Sequence, residues 1–352
     1  MYSRINGIQH IGIAVNDMDA SLRFYRKYLG LNIPFFDSVA AAPLMDVYTN
    51  NSTITKRASM VVNLQGGCAM EVIRPTSFEP SSAPFEIQPG DLGIFAAQFK
   101  TQDLQKSFEF CQQDPPPFCS PITIRPDGSQ TFMIKDLDGN VFQYVEDKSQ
   151  YIDHGHHSGG AVGCSIGVSS IEEAKKLYSD VLGFDSVVYD QTGDFEDFRA
   201  VWPEGATVRR VLLAQSNQPG GGFAKVTGRG YIELVQSMDR TPNRIFDNRI
   251  WADNGFVHLG FDVKGMQKLG DDLAKQGFGF TCDSNDALDM GNTKVHCTYI
   301  EDKDGTWLEM IEVYKVPIIE KWGIYLNVEK RDPLKPLPDY MLKALKFSRI
   351  KD

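Results

Sequence analysis

The chain has 352 residues, of which 42% are hydrophobic and 23% charged, a composition typical of a globular protein and not of a disordered one. This length predicts two domains of ordinary size. The net charge of −10 disfavours nucleic acid and anionic membranes as partners, because both attract basic surfaces. No apolar run approaches the ~20 residues of a transmembrane helix, and no signal peptide is evident.

The six cysteines are scattered along the chain and include no CxxC pair. Three of them, Cys68, Cys164 and Cys297, fall within predicted strands. This distribution favours free thiols in a reducing cytoplasm over a disulfide framework. We therefore expect a cytoplasmic protein, either monomeric or homodimeric, with no membrane or nucleic-acid partner.

The first predicted elements are a strand over residues 8–15 and an amphipathic helix that stops at Gly30. Side chains alternate along a strand, so its apolar residues share the face that the helix covers. His10 is left on the other face, beside the small residue Gly12. Later in the same unit the segment CAMEVIRP predicts a strand on which Glu71 faces away from its apolar neighbours.

This βαβββ unit recurs along the chain, which makes internal repetition the main signal of the fold. The segment 161–184 repeats 8–31, and 257–266 repeats 9–18 with His258 in the place of His10. We number the units modules one to four, at residues 6–75, 90–147, 160–236 and 253–315. Modules one and two would form a first domain (1–150), modules three and four a second (151–315), and 316–352 a C-terminal strap ending in a short helix.

The last strand of module four carries an acidic residue in apolar surroundings. Glu309 lies between Trp307 and Ile311 on one face of the segment TWLEMIEV. A carboxylate buried there without a partner would cost on the order of several kcal/mol. Glu309 therefore needs a cation.

Three motifs together resemble a known family. They are a strand with a His-apolar-Gly pattern, a helix closing on YLGL, and a D-x-D-G turn leading to a Glu strand. They resemble the vicinal oxygen chelate superfamily, which includes glyoxalase I, methylmalonyl-CoA epimerase and extradiol dioxygenases. The resemblance covers nearly the whole chain. It implies an α+β fold in which four βαβββ modules pair face to face into two cupped mixed sheets.

In this family each module can offer one ligand on its first strand and a Glu on its last strand. The resemblance gives the pairs His10 and Glu71 (module one), Ala96 and Gln143 (two), Gly163 and Glu233 (three), and His258 and Glu309 (four). If modules one and four pair, one cup holds a complete His₂Glu₂ set and the other is nearly empty. If sequence neighbours pair, the two histidines are separated and His258 joins Glu233. The first pairing is simpler and resembles fungal glyoxalase I.

The resemblance implies a metal-dependent lyase or isomerase that acts on a small substrate with adjacent oxygens through a metal-bound enediolate. The metal ligands would be His10, Glu71, His258 and Glu309, with Glu309 the first choice for the base and Glu71 the second. The ligands suit one divalent ion among Zn, Ni, Mn, Co and Fe. An Fe(II) extradiol or keto-acid dioxygenase is an alternative, although Gly163 stands where such enzymes have a His. A non-catalytic binding protein of bleomycin-resistance type is another.

Four further histidines need an interpretation. The polar loop that holds His154, His156 and His157 is expected to be solvated. Its position before Gly163 leaves open a replacement ligand from this loop. His296, on a predicted strand of module four, is expected to be a core residue.

Overall fold

The computed structural model describes residues 3–285, 288–290, 293–319 and 324–350. Module one contains β1 (Arg4–Ala14), α1 (Met18–Leu29), β2 (Ile33–Ala41), a 3₁₀ helix (Pro43–Tyr48), β3 (Thr55–Val62) and β4 (Ala69–Pro75). Helix α1 begins after Asp17, whose carboxylate accepts a hydrogen bond from the Ala20 amide at 3.0 Å. It ends at Gly30, whose φ of 63° is the left-handed conformation predicted for this position.

Module two follows the same order with shorter outer strands. It contains β5 (Gly93–Thr101), α2 (Leu104–Gln113), β6 (Phe118–Cys119), β7 (Thr123–Ile124), β8 (Gln130–Lys135) and β9 (Val141–Glu146). The side chain of Asp103 caps α2 by accepting from the Lys106 amide. The second copy of the repeat is therefore a complete module.

Module three contains β10 (Ala161–Gly167), α3 (Ile171–Tyr178), β11 (Ser186–Gly193), α4 (Glu196–Arg199), β12 (Val208–Ala214), α5 (Ala224–Thr227) and β13 (Tyr231–Ser237). The repeat predicts a helix that continues to Gly183. Helix α3 instead ends at Tyr178, and turns lead to Gly183. Ser179 and Asp180 follow the helix, and both residue types compete with helical hydrogen bonds.

Module four contains β14 (Gly255–Lys264), α6 (Met266–Lys275), β15 (Cys282–Asp283), β16 (Leu288–Met290), β17 (Thr293–Glu301) and β18 (Trp307–Ile319). The C-terminal segment adds β19 (Ile324–Asn327), α7 (Asp339–Ala344) and a 3₁₀ turn (Leu345–Ser348). Leu337 and Leu342 of this segment are buried. Part of the proposed strap, residues 320–323 and 351–352, lies outside the described residues.

The strands form two curled mixed sheets. In the described residues the first sheet has ten strands, ordered β15-β17-β18-β14-β1-β4-β3-β2 with β16 on β17 and β19 on β18. The second has nine, ordered β11-β12-β13-β10-β5-β9-β8-β6 with β7 on β8. Module one thus joins module four, and module two joins module three, which confirms the pairing that gives one complete ligand set. Each sheet contains strands from both sides of residue 150. The division into domains 1–150 and 151–315 therefore describes the repeats in the sequence and stays a prediction.

One expectation about this pairing is wrong. The family resemblance places the two histidine-bearing modules face to face, whereas β1 and β14 are neighbouring antiparallel strands of a single sheet. The hydrogen-bonded register of the two first strands brings their side chains together within one curled surface. The sequence shows which face of each strand is polar, but not which strand lies beside it.

The main core lies on the opposite side of the first sheet from its histidines. Ile11, Ile13, Leu22 and Tyr25 pack there, as predicted, together with residues of the second sheet such as Ile166. The six cysteines are free. Within the described part of the chain, no helix has both the length and the apolar character needed to cross a membrane.

Candidate metal centre

The two predicted histidines are brought together by the register of β1 and β14. His10 lies opposite Gly260, and Gly12 lies opposite His258. A Cβ added at Gly12 would lie 2.3 Å from Cε1 of His258, and one added at Gly260 would lie 2.3 Å from Cε1 of His10. Each imidazole therefore occupies the space left by the glycine on the neighbouring strand.

The two glutamates come from the strands that flank this pair. Strand β4 runs parallel to β1 and places Glu71 beside Gly12, while β18 runs parallel to β14 and places Glu309 beside Gly260. Each glutamate therefore lies on the strand next to that of a histidine, two residues further along and on the same face of the sheet. We call this surface of the first sheet the first cup, and the four side chains His10, Glu71, His258 and Glu309 the His₂Glu₂ cluster.

The four side chains converge on one point. The Nε2 atoms of His10 and His258 are 2.8 Å apart. Oε2 of Glu309 lies 3.1 Å from Nε2 of His10 and 3.5 Å from Nε2 of His258. Oε2 of Glu71 lies 3.3 Å from Nε2 of His258 and 3.8 Å from Nε2 of His10. One potential ligand atom from each residue lies within 4.8 Å of the others.

The donor set fits a divalent cation. The imidazoles are buried, and the side chains of Glu71 and Glu309 are only 9% and 12% exposed. Nδ1 of His10 lies 3.2 Å from Oε1 of Gln9, and a proton on Nδ1 leaves the Nε2 lone pair directed into the cluster. Two neutral imidazoles and two carboxylates carry a charge of −2, which a divalent ion would balance.

The two carboxylates of the cluster differ in their surroundings. Oε1 of Glu71 accepts from the ammonium of Lys56 at 3.2 Å, while Oε2 faces the imidazoles. Burial raises the pKa of Glu71, but Lys56, His258 and His10 together outweigh it and lower that pKa. Among the described residues, Glu309 has no comparable cation on its second oxygen. Glu71 is thus held from two sides and Glu309 from one.

Two aromatic side chains pack against one imidazole of the cluster. Trp251 stacks on His258 with ring planes 8° apart and centroids 6.3 Å apart. Tyr299 meets the same imidazole edge-on at 5.6 Å. Burial, reinforced by the charge of Glu309, raises the pKa of Tyr299 well above its usual value, so this phenol is neutral. Lys56 and Trp251 lie at the site but were not predicted from the sequence. Alternation along β3 could have placed Lys56 on the cup face, whereas no motif marks Trp251.

The corresponding positions of the second sheet carry no such cluster in the described residues. Parallel pairing sets Gln98 beside Gln143 and Ser165 beside Glu233, so Ala96 and Gly163 occupy the two histidine positions as predicted. A Cβ at Gly163 would lie 1.9 Å from the carbonyl oxygen of Tyr231, which leaves no room for an imidazole.

A fixed cation instead occupies this second cup, the surface of the second sheet around Glu233. Nε of Arg210 donates to Glu233, and its Nη1 donates to Asp197, each at 2.7 Å. All three side chains are fully buried. Ser165 and Tyr189 also donate to Glu233, at 2.6 Å and 2.5 Å. The carboxylate that the sequence left as a possible ligand is therefore neutralised by protein groups.

The histidine loop does not reach either cup. Nε2 of His156 lies 3.2 Å from the carbonyl of Lys27, and Nε2 of His157 lies 3.0 Å from that of Tyr28. His157 also stacks on Phe110 at 3.9 Å. The expectation of a solvated loop is wrong for these two residues, because their rings bond the C-terminal carbonyls of α1. His296 is buried, as expected, and it also pairs with Asp283 at 2.7 Å.

Comparison with known proteins agrees with this fold. The model of the Glyoxalase/Bleomycin resistance protein/Dioxygenase superfamily matches residues 7–144 and 160–310. The chain belongs to this superfamily. A search of curated proteins gives no match.

Solved structures of the same architecture cover most of the chain. One is a Bacillus subtilis subsp. subtilis str. 168 protein described as a candidate dioxygenase, with 13% identity, a TM-score of 0.59, and 99% of this chain and 97% of that chain covered. Glyoxalase I from Zea mays aligns at 14% identity and a TM-score of 0.52, covering 88% of this chain and 92% of that one. A mutant form of the same Zea mays enzyme aligns at 13% identity and a TM-score of 0.54, with 88% and 92% covered. At these identities the likeness shows the fold alone.

Proposed function

We propose that the chain is a metal-dependent enzyme of lyase or isomerase type, acting on a small substrate with two adjacent oxygens. The observation that carries this proposal is the convergence of two imidazoles and two carboxylates within 4.8 Å, in a buried cup. His10, Glu71, His258 and Glu309 would hold one divalent ion. When bound, such an ion supplies Lewis acidity, which stabilises negative charge on a substrate oxygen and makes the neighbouring C–H more acidic.

The proton acceptor in this proposal is Glu309. A general base must be free to turn toward the substrate carbon, and Glu309 is held by imidazoles on one oxygen only. Glu71 is additionally paired with Lys56, which fixes its position and favours its ionised form. Glu71 therefore acts as an anionic ligand. This difference in surroundings supports the base that the sequence analysis preferred.

The histidines and the aromatic wall have separate tasks. His10 and His258 present Nε2 to the common point, and the hydrogen bond of His10 to Gln9 fixes its ring orientation. Trp251 and Tyr299 pack around His258 and keep bulk water from the site. A charge that develops on a substrate here is less screened than it would be in water.

An Fe(II) dioxygenase is the second candidate, and one observation favours it. If its pairing with Lys56 holds Glu71 away from the ion, two imidazoles and one carboxylate, Glu309, remain as ligands. Two histidines and one carboxylate with open positions are the ligand set of non-haem Fe(II) oxygenases. The two functions differ in their need for O₂.

Metal content and proton exchange test the proposal. Protein purified without chelator should contain about one divalent ion per chain, since the described residues hold one complete ligand set. Under argon, it should exchange the C–H hydrogen of some member of a panel of 2-hydroxy carbonyl compounds with deuterium from D₂O, measured by NMR. One ion together with O₂ consumption, and no anaerobic exchange, would favour the dioxygenase. No ion would favour a binding protein.

A further inference from the structure

Two side chains at the His₂Glu₂ cluster have N–H donors that the proposed chemistry does not use. Lys56 lies on the cup face of β3, with its ammonium 3.2 Å from Oε1 of Glu71. An ammonium has three N–H donors, and Glu71 is its only hydrogen-bond acceptor among the described residues. The Lys56 side chain is 15% exposed.

The second side chain is Trp251. This residue is 2% exposed, and its Nε1–H has no acceptor in the described part of the chain. A buried donor without an acceptor is unfavourable, and in a native protein it usually marks a missing water or ligand. The backbone amide of Trp251 bonds to the carbonyl of Tyr48 at 3.0 Å, which fixes the loop. The Lys56 ammonium lies 5.3 Å from the centre of the indole.

The charges at the cluster have a simple sum once an ion is bound. Glu71 and Glu309 contribute −2, a divalent ion contributes +2, and the histidines that ligate it are neutral. Lys56 then leaves a net charge of +1 among these groups. A buried net charge is unfavourable unless a ligand of opposite sign compensates it.

We propose that the site takes a monoanion: a carboxylate with a second oxygen on the adjacent carbon, as in 2-hydroxy and 2-oxo acids. The carboxylate would pair with the free donors of Lys56 and accept from Nε1 of Trp251. A neutral substrate would leave the charge of Lys56 uncompensated and the indole N–H without an acceptor. This inference rests on the proposed function and specifies the substrate class for the same site.

The test compares a carboxylate with its neutral amide. The protein is loaded with Co²⁺, whose visible absorption responds to ligands bound near the ion, and is titrated with glycolate and with glycolamide. The ion itself favours the carboxylate, so the measured quantity is the affinity ratio of the two probes in each variant. Lys56→Met should reduce this ratio about 10-fold or more, the usual effect of a charged hydrogen bond. Lys56→Arg should retain most of it.

Matched controls come from the same strand and from another tryptophan. Arg57 is the next residue on β3 but points away from the cup, toward Asp19 and Asp37. Arg57→Met removes the same charge and should leave the ratio unchanged. Trp251→Phe keeps an aromatic ring and should weaken glycolate binding several-fold. Trp202→Phe should not weaken it, because the Trp202 indole already donates to the carbonyl of Ile87.

The outcomes separate this inference from the proposed function. A Co²⁺ spectrum with equal ratios in the parent and in Lys56→Met would overturn the monoanion assignment and leave the metal site intact. A similar fall of the affinity ratio in Arg57→Met would overturn it too, because the ratio would then depend on the net charge of the protein and not on the position of Lys56. Failure to bind Co²⁺ at all would contradict the proposed function, and with it the inference.

Discussion

The Nε2 atoms of His10 and His258 lie 2.8 Å apart, although 248 positions separate the two residues in the chain. This contact is made by two neighbouring strands of one sheet, and each imidazole lies over a glycine of the other strand. The arrangement is symmetric, because the two strands are copies of one repeat. Single substitutions can therefore test the first cup directly, and others test the second cup and the histidine loop.

His258→Ala should lower the affinity for a divalent ion by at least about 10–100-fold, because no nearby side chain replaces the imidazole. Metal content after dialysis, measured by inductively coupled plasma mass spectrometry, reports the loss. Glu233→Gln is the control, since Glu233 belongs to the second cup and is already paired with Arg210. Equal loss in both variants would contradict the assignment of the site to the first cup.

Gly12→Ala should displace an imidazole without removing it. The added Cβ would lie 2.3 Å from Cε1 of His258, closer than any real carbon contact, so the ring must move. We expect weaker metal binding with a much smaller effect on folding. Gly279→Ala is the control, because a Cβ there meets no atom within 4 Å. Calorimetric metal titration and thermal unfolding of both variants separate the two effects.

Glu309→Gln should separate chemistry from metal binding. The amide keeps one coordinating oxygen but loses the charge and most of the basicity. Turnover should fall by about 10²–10⁴-fold, the usual contribution of a general base, while much of the metal is retained. Glu71→Gln should mainly weaken metal binding and release Lys56. If turnover in Glu309→Gln equals that of the parent, another group is the base.

Arg210→Met should destabilise the protein by about 3–5 kcal/mol, because it leaves the buried carboxylates of Glu233 and Asp197 without their cation. Urea denaturation measures the free energy of unfolding. Arg209→Met is the matched control: the neighbouring arginine pairs with Asp190 at 2.7 Å near the surface and should contribute under about 1 kcal/mol. Similar losses would show that burial of the Arg210 network is not the cause.

His157 should make the protein less stable in acid. Burial, together with the neighbouring His156, lowers the pKa of His157 to about 3, against an unfolded value near 6.5. Between these pH values the unfolded chain binds more protons at His157 than the folded protein does. The contribution of His157 to the free energy of unfolding is therefore complete above about pH 6.5 and is lost as the pH falls. His157→Gln should reduce the slope of unfolding free energy against pH between 6.5 and 4.5 by up to about 1.4 kcal/mol per unit. An unchanged slope in His157→Gln would contradict this assignment. Above pH 7.5 the slopes of the parent and of the variant should be equal.

The repeats made the fold and the cluster predictable. His10 and His258 recur at one position of two modules, and alternation along each strand places them on the polar face. The adjacency of their strands was not predictable, because hydrogen-bonded register is a tertiary property. Trp251 comes from a loop outside every repeat and is fixed by Tyr48, far away in sequence. Arg210 was missed for a similar reason: its partners Glu233 and Asp197 become neighbours only when the second sheet forms.

The distance in sequence between the two halves of the cluster has a consequence for synthesis. The ribosome adds ~5–20 residues per second, so the 248 residues from His10 to His258 require ~12–50 s. During that time β1 has no β14 to pair with, and its edge is open to other chains. His10 and Glu71 emerge as half of the proposed ligand set. On this proposal the growing polypeptide cannot capture an ion early, and release of module four is the step that both closes the sheet and creates the site.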